Sequence, residues 1–254
     1  MLSKNQVKNI TSLHSKKERD AEKLFIVEGE KMAKELLASD FEIEMLFAVE
    51  GWISENIDTL QSRGVEFQGI DEGDLKKISL LSTPNKVFVL VKQKQAEPDH
   101  SLFSGSLSLY LDAIRDPGNL GTIIRLAHWF GVSQIICSPD TVEIYNPKAV
   151  QSTMGSIFHV KLAEAELTDI IGDENKFPVF GALLEGDNIY KKENFTQGIL
   201  VIGNESNGIS SKNLKFISDK VKIPPFSESH AESLNAAMAT SVFLSEYLRR
   251  KKYF

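Results

Sequence analysis

Five short apolar runs in the second half of this chain, separated by spacers long enough to hold helices, constrain its fold more than any other feature. They are Ser106–Ile114, Gln134–Cys137, Val179–Leu184, Ile199–Gly203 and Lys220–Ile223. In the first, Leu107, Leu109, Leu111 and Ala113 alternate, while Tyr110 places a further large side chain on the opposite face. That is the pattern of a strand covered on both sides, which is typical of parallel sheets flanked by helices. A strand, a loop, a helix and a second strand over 106–137 form one βαβ unit, and the later runs extend a mostly parallel sheet. A closing helix is expected over roughly Ser233–Arg250, with Leu234, Met238, Phe243 and Leu248 in an irregular apolar stripe.

The first half is patterned differently. Its periodicities predict a helix over about 4–22, a strand at Phe25–Glu28, a helix at Glu30–Ala38 and a strand at Glu44–Val49. After a further helix come a strand at Val65–Ile70, a helix at Asp74–Leu80 and a strand at Lys86–Val91. The polar stretch QKQAEPDHSLFSG over 93–105 interrupts the pattern. The expected organisation is therefore a small α/β domain at 1–92, a linker at 93–105 and a larger α/β domain at 106–254. A length of 254 residues with 42% hydrophobic content supports two such cores. The chain contains no apolar run of about 18 residues, and its first twenty residues are polar, so neither membrane insertion nor secretion is expected. The single cysteine, Cys137, lies in the apolar run QIICS and is expected to pack rather than react, consistent with a reducing cytoplasm.

The net charge of −6 argues against a protein that holds nucleic acid by bulk electrostatics. The first 24 residues nevertheless carry six basic against three acidic side chains, followed by an acidic segment over 25–50. A basic end on an acidic body suits a local RNA contact through Lys4, Lys8, Lys16, Lys17 and Arg19.

Open parallel sheets bind ligands in loops at the carboxyl ends of their strands, and three such loops carry polar constellations. The first is Asp116-Pro-Gly-Asn119 leading to Arg125, the second Gly203-Asn-Glu205-Ser-Asn-Gly208, and the third Ile223-Pro224 followed by Ser233-Leu234-Asn235. No two of the 16 glycines are two positions apart, which excludes a dinucleotide G-x-G-x-x-G loop. Gly203 to Ser210 has the glycine spacing of a phosphate-binding loop, but Ile209 stands where the lysine is required. The five histidines form no ligand pair at helical spacing, so no metal is expected.

Together the three loops resemble, in order, spacing and residue type, the SpoU/TrmH family of RNA ribose 2′-O-methyltransferases in the knotted SPOUT superfamily. Asn119 and Arg125 match the first family motif, Gly203, Glu205 and Gly208 the second, and Ile223-Pro224 with Ser233-Leu234-Asn235 the third. The segment between Pro224 and Ser233 departs from the family, which more often has a methionine and a glycine there. Residues 1–92, through Ser3 to Gln6, Lys16 to Arg19 and Phe25 to Gly29, resemble the family's substrate-binding domain, itself similar to a ribosomal protein that binds kinked RNA.

The resemblance implies a C-terminal domain with a trefoil knot, S-adenosylmethionine as cofactor, ribosomal or transfer RNA as substrate, and a homodimer formed through the C-terminal domain. It places Gly203, Gly208, Ile223, Pro224 and Leu234 around the cofactor and Asn119, Arg125, Glu205, Ser233 and Asn235 at the reacting groups. An arginine stays charged below about pH 12, so Arg125 is expected to clamp an RNA phosphate and stabilise developing alkoxide, oriented by a hydrogen bond that it donates to Ser233. The small residues Ala236, Ala239 and Thr240 suggest close approach of a partner helix. A capping box at Ser229-x-x-Glu232 would start the last helix early and set Ser233 and Asn235 about 200° apart. The alternative from another class is a non-catalytic RNA-binding or ribosome-assembly factor that keeps the fold.

Overall fold

The computed structural model describes residues 1–172, 176–226 and 233–253, the side chains of the last two excepted. The described chain divides into two compact units. One comprises Met1–Lys94 with Glu143–Phe158, and the other Gln95–Val142 with the chain from His159 onward.

The first unit runs α1 (Lys4–Ser12), α2 (Lys16–Glu22), β1 (Leu24–Glu28), α3 (Glu30–Leu37), β2 (Ile43–Ala48), α4 (Glu50–Ser62), β3 (Phe67–Gly69), α5 (Glu72–Ile78) and β4 (Val87–Lys92). Its sheet has the order β1-β4-β2-β3, with β4 antiparallel to both neighbours and β3 parallel to β2. The single helix expected over 4–22 is two. Ser3 opens α1 in a reciprocal capping box with Gln6, and Ser15 accepts from the Glu18 N–H to open α2. Lys23, at φ 56°, ends α2 in the left-handed region.

The segment 143–158, assigned by sequence to the larger domain, packs within this first unit, and α7 (Pro147–Ser152) lies against β1. The reasons are local. The Tyr145 ring packs on Phe25 with centroids 4.5 Å apart, and its hydroxyl both donates to the Lys94 carbonyl and accepts from the Lys94 N–H, at 2.9 Å each. Phe158 meets Phe41 edge-on at 5.3 Å. Gly155, at φ +97°, lets the backbone approach Glu35 so closely that a Cβ would lie 2.6 Å from its Cγ.

Arg19 requires a correction. Its side chain is 2% exposed, so it does not reach out to an RNA phosphate. Nε and Nη2 donate to the two Glu143 carboxylate oxygens at 2.8 and 2.6 Å, and Nη1 donates to the carbonyls of Leu13 and His14. The planar fork fits this double role, holding the α1–α2 turn and the 143–158 segment at once. Lys4, Lys8, Lys16 and Lys17 are exposed.

The second unit runs β5 (Leu107–Leu111), α6 (Pro117–Phe130), β6 (Gln134–Cys137), β7 (Lys161–Glu164), α8 (Leu167–Ile171), β8 (Val179–Asn188), β9 (Gly198–Ile202), α9 (Ser211–Leu214), β10 (Asp219–Lys222) and α10 (Ala236–Tyr253). Six parallel strands take the order β10-β8-β9-β5-β6-β7. Every residue of β5, β6 and β9 is buried, as expected for strands covered on both faces. Tyr110 is fully buried, accepts from the Leu167 N–H and donates to the Ala165 carbonyl; burial raises its phenol well above the ordinary range. Cys137 is buried, and desolvation pushes its thiol up to about 12, which keeps it protonated and inert. Strand β8 is longer than expected. It pairs with β10 at Phe180–Gly181 and, after a register break, again at Asp187–Asn188, and Gly186 permits the approach because a Cβ there would sit 2.7 Å from the Lys220 carbonyl carbon.

Arg19→Ala strands the largely buried Glu143 carboxylate and the Leu13 and His14 carbonyls without their donor and should lower stability by about 3 kcal/mol in chemical denaturation. An effect within about 0.5 kcal/mol, typical of a surface substitution, would contradict the structural assignment of this residue.

Candidate active site

The second motif folds because of its glycines. After β9 the chain doubles back, and Asn204 and Gly208 exchange two backbone hydrogen bonds of 3.0 and 2.9 Å. A Cβ on Gly203 would lie 2.3 Å from the Gly208 carbonyl carbon, and Gly208 itself sits at φ +66°. The spacing G-x-E-x-x-G is thus the footprint of a tight loop whose two ends touch.

Asn204 fastens this loop. Its Oδ1 accepts from the N–H groups of Ser206 and Asn207 at 2.9 and 3.1 Å, and its Nδ2 donates to the Ala113 carbonyl at 2.9 Å. Ala113 follows β5 at φ 58°, an unusual conformation for a residue with a Cβ. Both its backbone groups are held, the N–H by Ser138 Oγ at 2.9 Å and the carbonyl by Asn204. Next to it, buried Asp112 accepts from the Ser210 N–H at 2.7 Å. The exits of β5 and β9 are tied together on both sides of the loop. Sequence reasoning passed over Asn204 and Asp112. Asn204 had a visible signal, an Asx-type residue opening a glycine-bounded turn.

The first motif opens α6. Asp116 caps the helix by accepting from the Asn119 N–H at 2.7 Å, and Pro117 occupies the first turn. The Asn119 side chain then faces the second motif. Its Nδ2 donates to Glu205 Oε1 at 2.5 Å, while its Oδ1 accepts from Asn235 Nδ2 at 3.0 Å. Asn235 Oδ1 in turn caps α10, accepting from the N–H groups of Ala237 and Met238. Helix α10 starts at Ala236, not at 233, so Ser233, Leu234 and Asn235 are non-helical and escape the angular conflict that an earlier start would impose. The expected capping box Ser229-x-x-Glu232 lies outside the described residues.

These loops border a cleft of about 910 Å³ lined by Gly203 to Gly208, Ile223, Ser233 and Leu234, with Ile202, Leu183, Leu214 and Phe243 as apolar wall and Lys220 and Lys222 at its side. Pro224 is half-buried beside Ile223 and does not line it. Glu205, Asn119 and Asn235 are joined in one chain; Ser233 stands at the cleft without a bond to Arg125 among the described residues. Arg125 is exposed on α6 and lines a different groove of about 760 Å³ between α6 and α10, with Leu126, Trp129, Tyr190, Val242 and Glu246. The expected Ser233–Arg125 contact is therefore not formed within one chain. Ala236 and Thr240 are 5% and 0% exposed, and Ala239 lines the cleft, so these small residues are used inside the unit and not as a face for a partner helix. Exposed apolar residues in this region include Trp129 (82%), Met238 (62%), Leu234 (52%) and Tyr190 (50%).

Comparison with known proteins agrees with this geometry. Residues 106–245 match the SpoU rRNA Methylase family, and residues 4–89 match the MRM3-like substrate binding domain. The chain is 30% identical, over 95% of its length and 96% of the relative's, to the 23S rRNA (guanosine(2553)-2′-O)-methyltransferase RlmP of Bacillus subtilis (strain 168). An AdoMet-bound rRNA methyltransferase from Sinorhizobium meliloti superposes with a TM-score of 0.88 at 29% identity, covering 100% of this chain and 97% of that one. A TrmH-family structure from Porphyromonas gingivalis gives 0.87 at 33% identity, covering 98% and 99%. The chain belongs to the SpoU rRNA methylase family.

Asn204→Asp keeps both acceptor bonds inside the loop and loses only the donor to Ala113, whereas Asn204→Ala loses all three bonds. Calorimetry with S-adenosylmethionine should show a graded loss of affinity, about tenfold or more for the alanine variant and less for the aspartate. Wild-type affinity in both variants would remove Asn204 from the architecture of the site.

Proposed function

We propose that this protein methylates a ribose 2′-hydroxyl of ribosomal RNA with S-adenosylmethionine as donor. The observation that carries the reading is the convergence of three distant loops, through Glu205, Asn119 and Asn235, at the mouth of one cleft. The cleft fits the cofactor chemically. Ile202, Ile223, Leu183 and Phe243 offer an apolar slot for an adenine face, and the backbone of the glycine loop and of Ile223 and Leu234 offers donors and acceptors for its edge. Bound there, S-adenosylmethionine supplies an electrophilic methyl group.

Gly203, Gly208, Ile223 and Leu234 hold that group, with Pro224 restricting the backbone beside Ile223. Asn119, held between Glu205 and Asn235, fixes the relative placement of the loops to the tolerance that an in-line displacement requires. Glu205 accepts hydrogen bonds at the cleft mouth and Ser233 borders it, both in reach of a ribose placed there. Arg125 clamps the adjoining phosphate and stabilises charge developing on the 2′-oxygen. Since Arg125 lies in the α6–α10 groove and not in its own chain's cleft, it serves the cleft of a second copy. The exposure of Trp129 and Met238, apolar side chains that a homodimer through the C-terminal unit would cover, supports this arrangement. Exposed Lys4, Lys8, Lys16 and Lys17 supply phosphate contacts from the first unit. The trefoil knot and a cytoplasmic location belong to the same proposal, the first on family membership, the second on a lone buried cysteine. The retention of the motif network disfavours a non-catalytic assembly factor.

Arg125→Ala should leave S-adenosylmethionine affinity within a few-fold and lower methyl transfer to ribosomal RNA by about a hundredfold or more, and Arg125→Lys should recover little. Equal turnover by wild type and Arg125→Ala would sink this mechanism.

A mixture tests the shared site. Arg125→Ala and Asn204→Ala protomers, co-refolded in equal amounts, should regain about a quarter of wild-type activity, because half the dimers are mixed and each has one intact site. No recovery above the separate variants, or a monomer by light scattering, would place Arg125 in its own chain's chemistry.

A further inference from the structure

Glu28 closes β1 in the first unit and is 5% exposed, yet it forms part of the lining of a cleft of about 470 Å³. Ser79 Oγ donates to one carboxylate oxygen and the Leu80 N–H donates to the other, the latter at 3.0 Å. Burial pushes the carboxyl above its ordinary range, opposed by these two bonds and by nearby His14. A glutamine could tie down the same segment without the cost of desolvating a charge. The carboxylate differs from an amide in having acceptor capacity on both oxygens, and after these two bonds each retains a lone pair.

The surroundings narrow what that capacity receives. Ile26, Leu80, Leu81 and Pro147 give the cleft apolar walls, His14 adds a ring fixed by the bond from its Nε2 to the Ile78 carbonyl at 3.0 Å, and Asn146, Lys148, Gln151 and Ser152 complete the lining with polar groups. Two adjacent carboxylate acceptors beside apolar walls suit a planar group with two adjacent N–H donors. Among nucleobases only guanine presents such an edge, at N1–H and the 2-amino group; cytosine and adenine offer one amino group beside an acceptor, and uracil one N–H between two carbonyls. Unpaired bases in RNA are recognised in this way, by stacking combined with hydrogen bonds to the Watson–Crick edge.

We propose that this cleft binds an unpaired guanine of the RNA substrate, with Glu28 as the residue that reads it. The inference rests on the RNA reading given above but concerns a site separate from the methyl-transfer cleft. It also gives a function to the return of α7 into the first unit, since Pro147 supplies one wall.

The test titrates the full chain with guanosine monophosphate and inosine monophosphate, which differ only in the 2-amino group, and follows the His14 ring by NMR. Guanosine monophosphate should shift the His14 signals saturably, with inosine monophosphate about tenfold weaker, the scale of one lost contact of a bidentate pair. Glu28→Gln should remove the preference, and Leu81→Trp, which fills the slot without touching the carboxylate, should abolish the shifts. Equal binding of the two nucleotides, a preference that survives Glu28→Gln, or shifts that survive Leu81→Trp would overturn the site. The readout does not depend on methyl transfer: an absent preference with normal methylation defeats the guanine site alone, and an intact preference without methylation defeats the enzymatic reading alone.

Discussion

The side-chain amide of Asn119 is where the active site is held together. It donates to Glu205, 86 residues away, and accepts from Asn235, 116 residues away, so one planar group fixes three loops that the chain alone leaves unrelated. Contacts of such separation are favourable only after the closure entropy has been met elsewhere. Here the buried core of the parallel sheet meets it, since β5 and β9 are hydrogen-bonded neighbours and present their exits side by side. The same adjacency allows Asn204 to reach the strained Ala113, and Asn235 passes the restraint on to α10 by capping it.

Much of this was legible in the sequence because it depends on local chemistry. Strands buried on both faces announce themselves as apolar runs, and β6 was read to the residue. The glycine-bounded run from 203 to 208 coincides with a loop whose ends touch, and parts of the second and third motifs line one cleft, whereas Arg125 of the first does not. Less legible was anything decided by packing between distant segments. The turn at Leu13–Ser15 that divides the first helix is held by Arg19 through contacts to Leu13 and His14, and no periodicity records them. The return of 143–158 to the first unit depends on Tyr145, Phe158 and Gly155 meeting partners more than a hundred residues earlier.

Charge and size misled where burial decided the outcome. Arg19 was grouped with the surface lysines because a cationic residue in a basic segment is normally solvated; instead it is paired with Glu143 and dry. Ala236 and Thr240 were read as room for a partner helix, whereas they admit close contacts inside their own unit. Arg125 and Ser233, neighbours by family motif, stand at different surfaces of the unit.

The reaction is defined by the atom that receives the methyl group. A 2′-O-methyl removes the hydroxyl that attacks the neighbouring phosphodiester in alkali, so the bond beside it resists hydrolysis. The direct measurement incubates the protein with methyl-labelled S-adenosylmethionine and unmodified ribosomal RNA, digests the product in alkali and sizes the labelled fragments. Label in alkali-stable dinucleotides is the result that a ribose methyltransferase of this geometry gives. Label in mononucleotides, which marks methylation of a base, would contradict it.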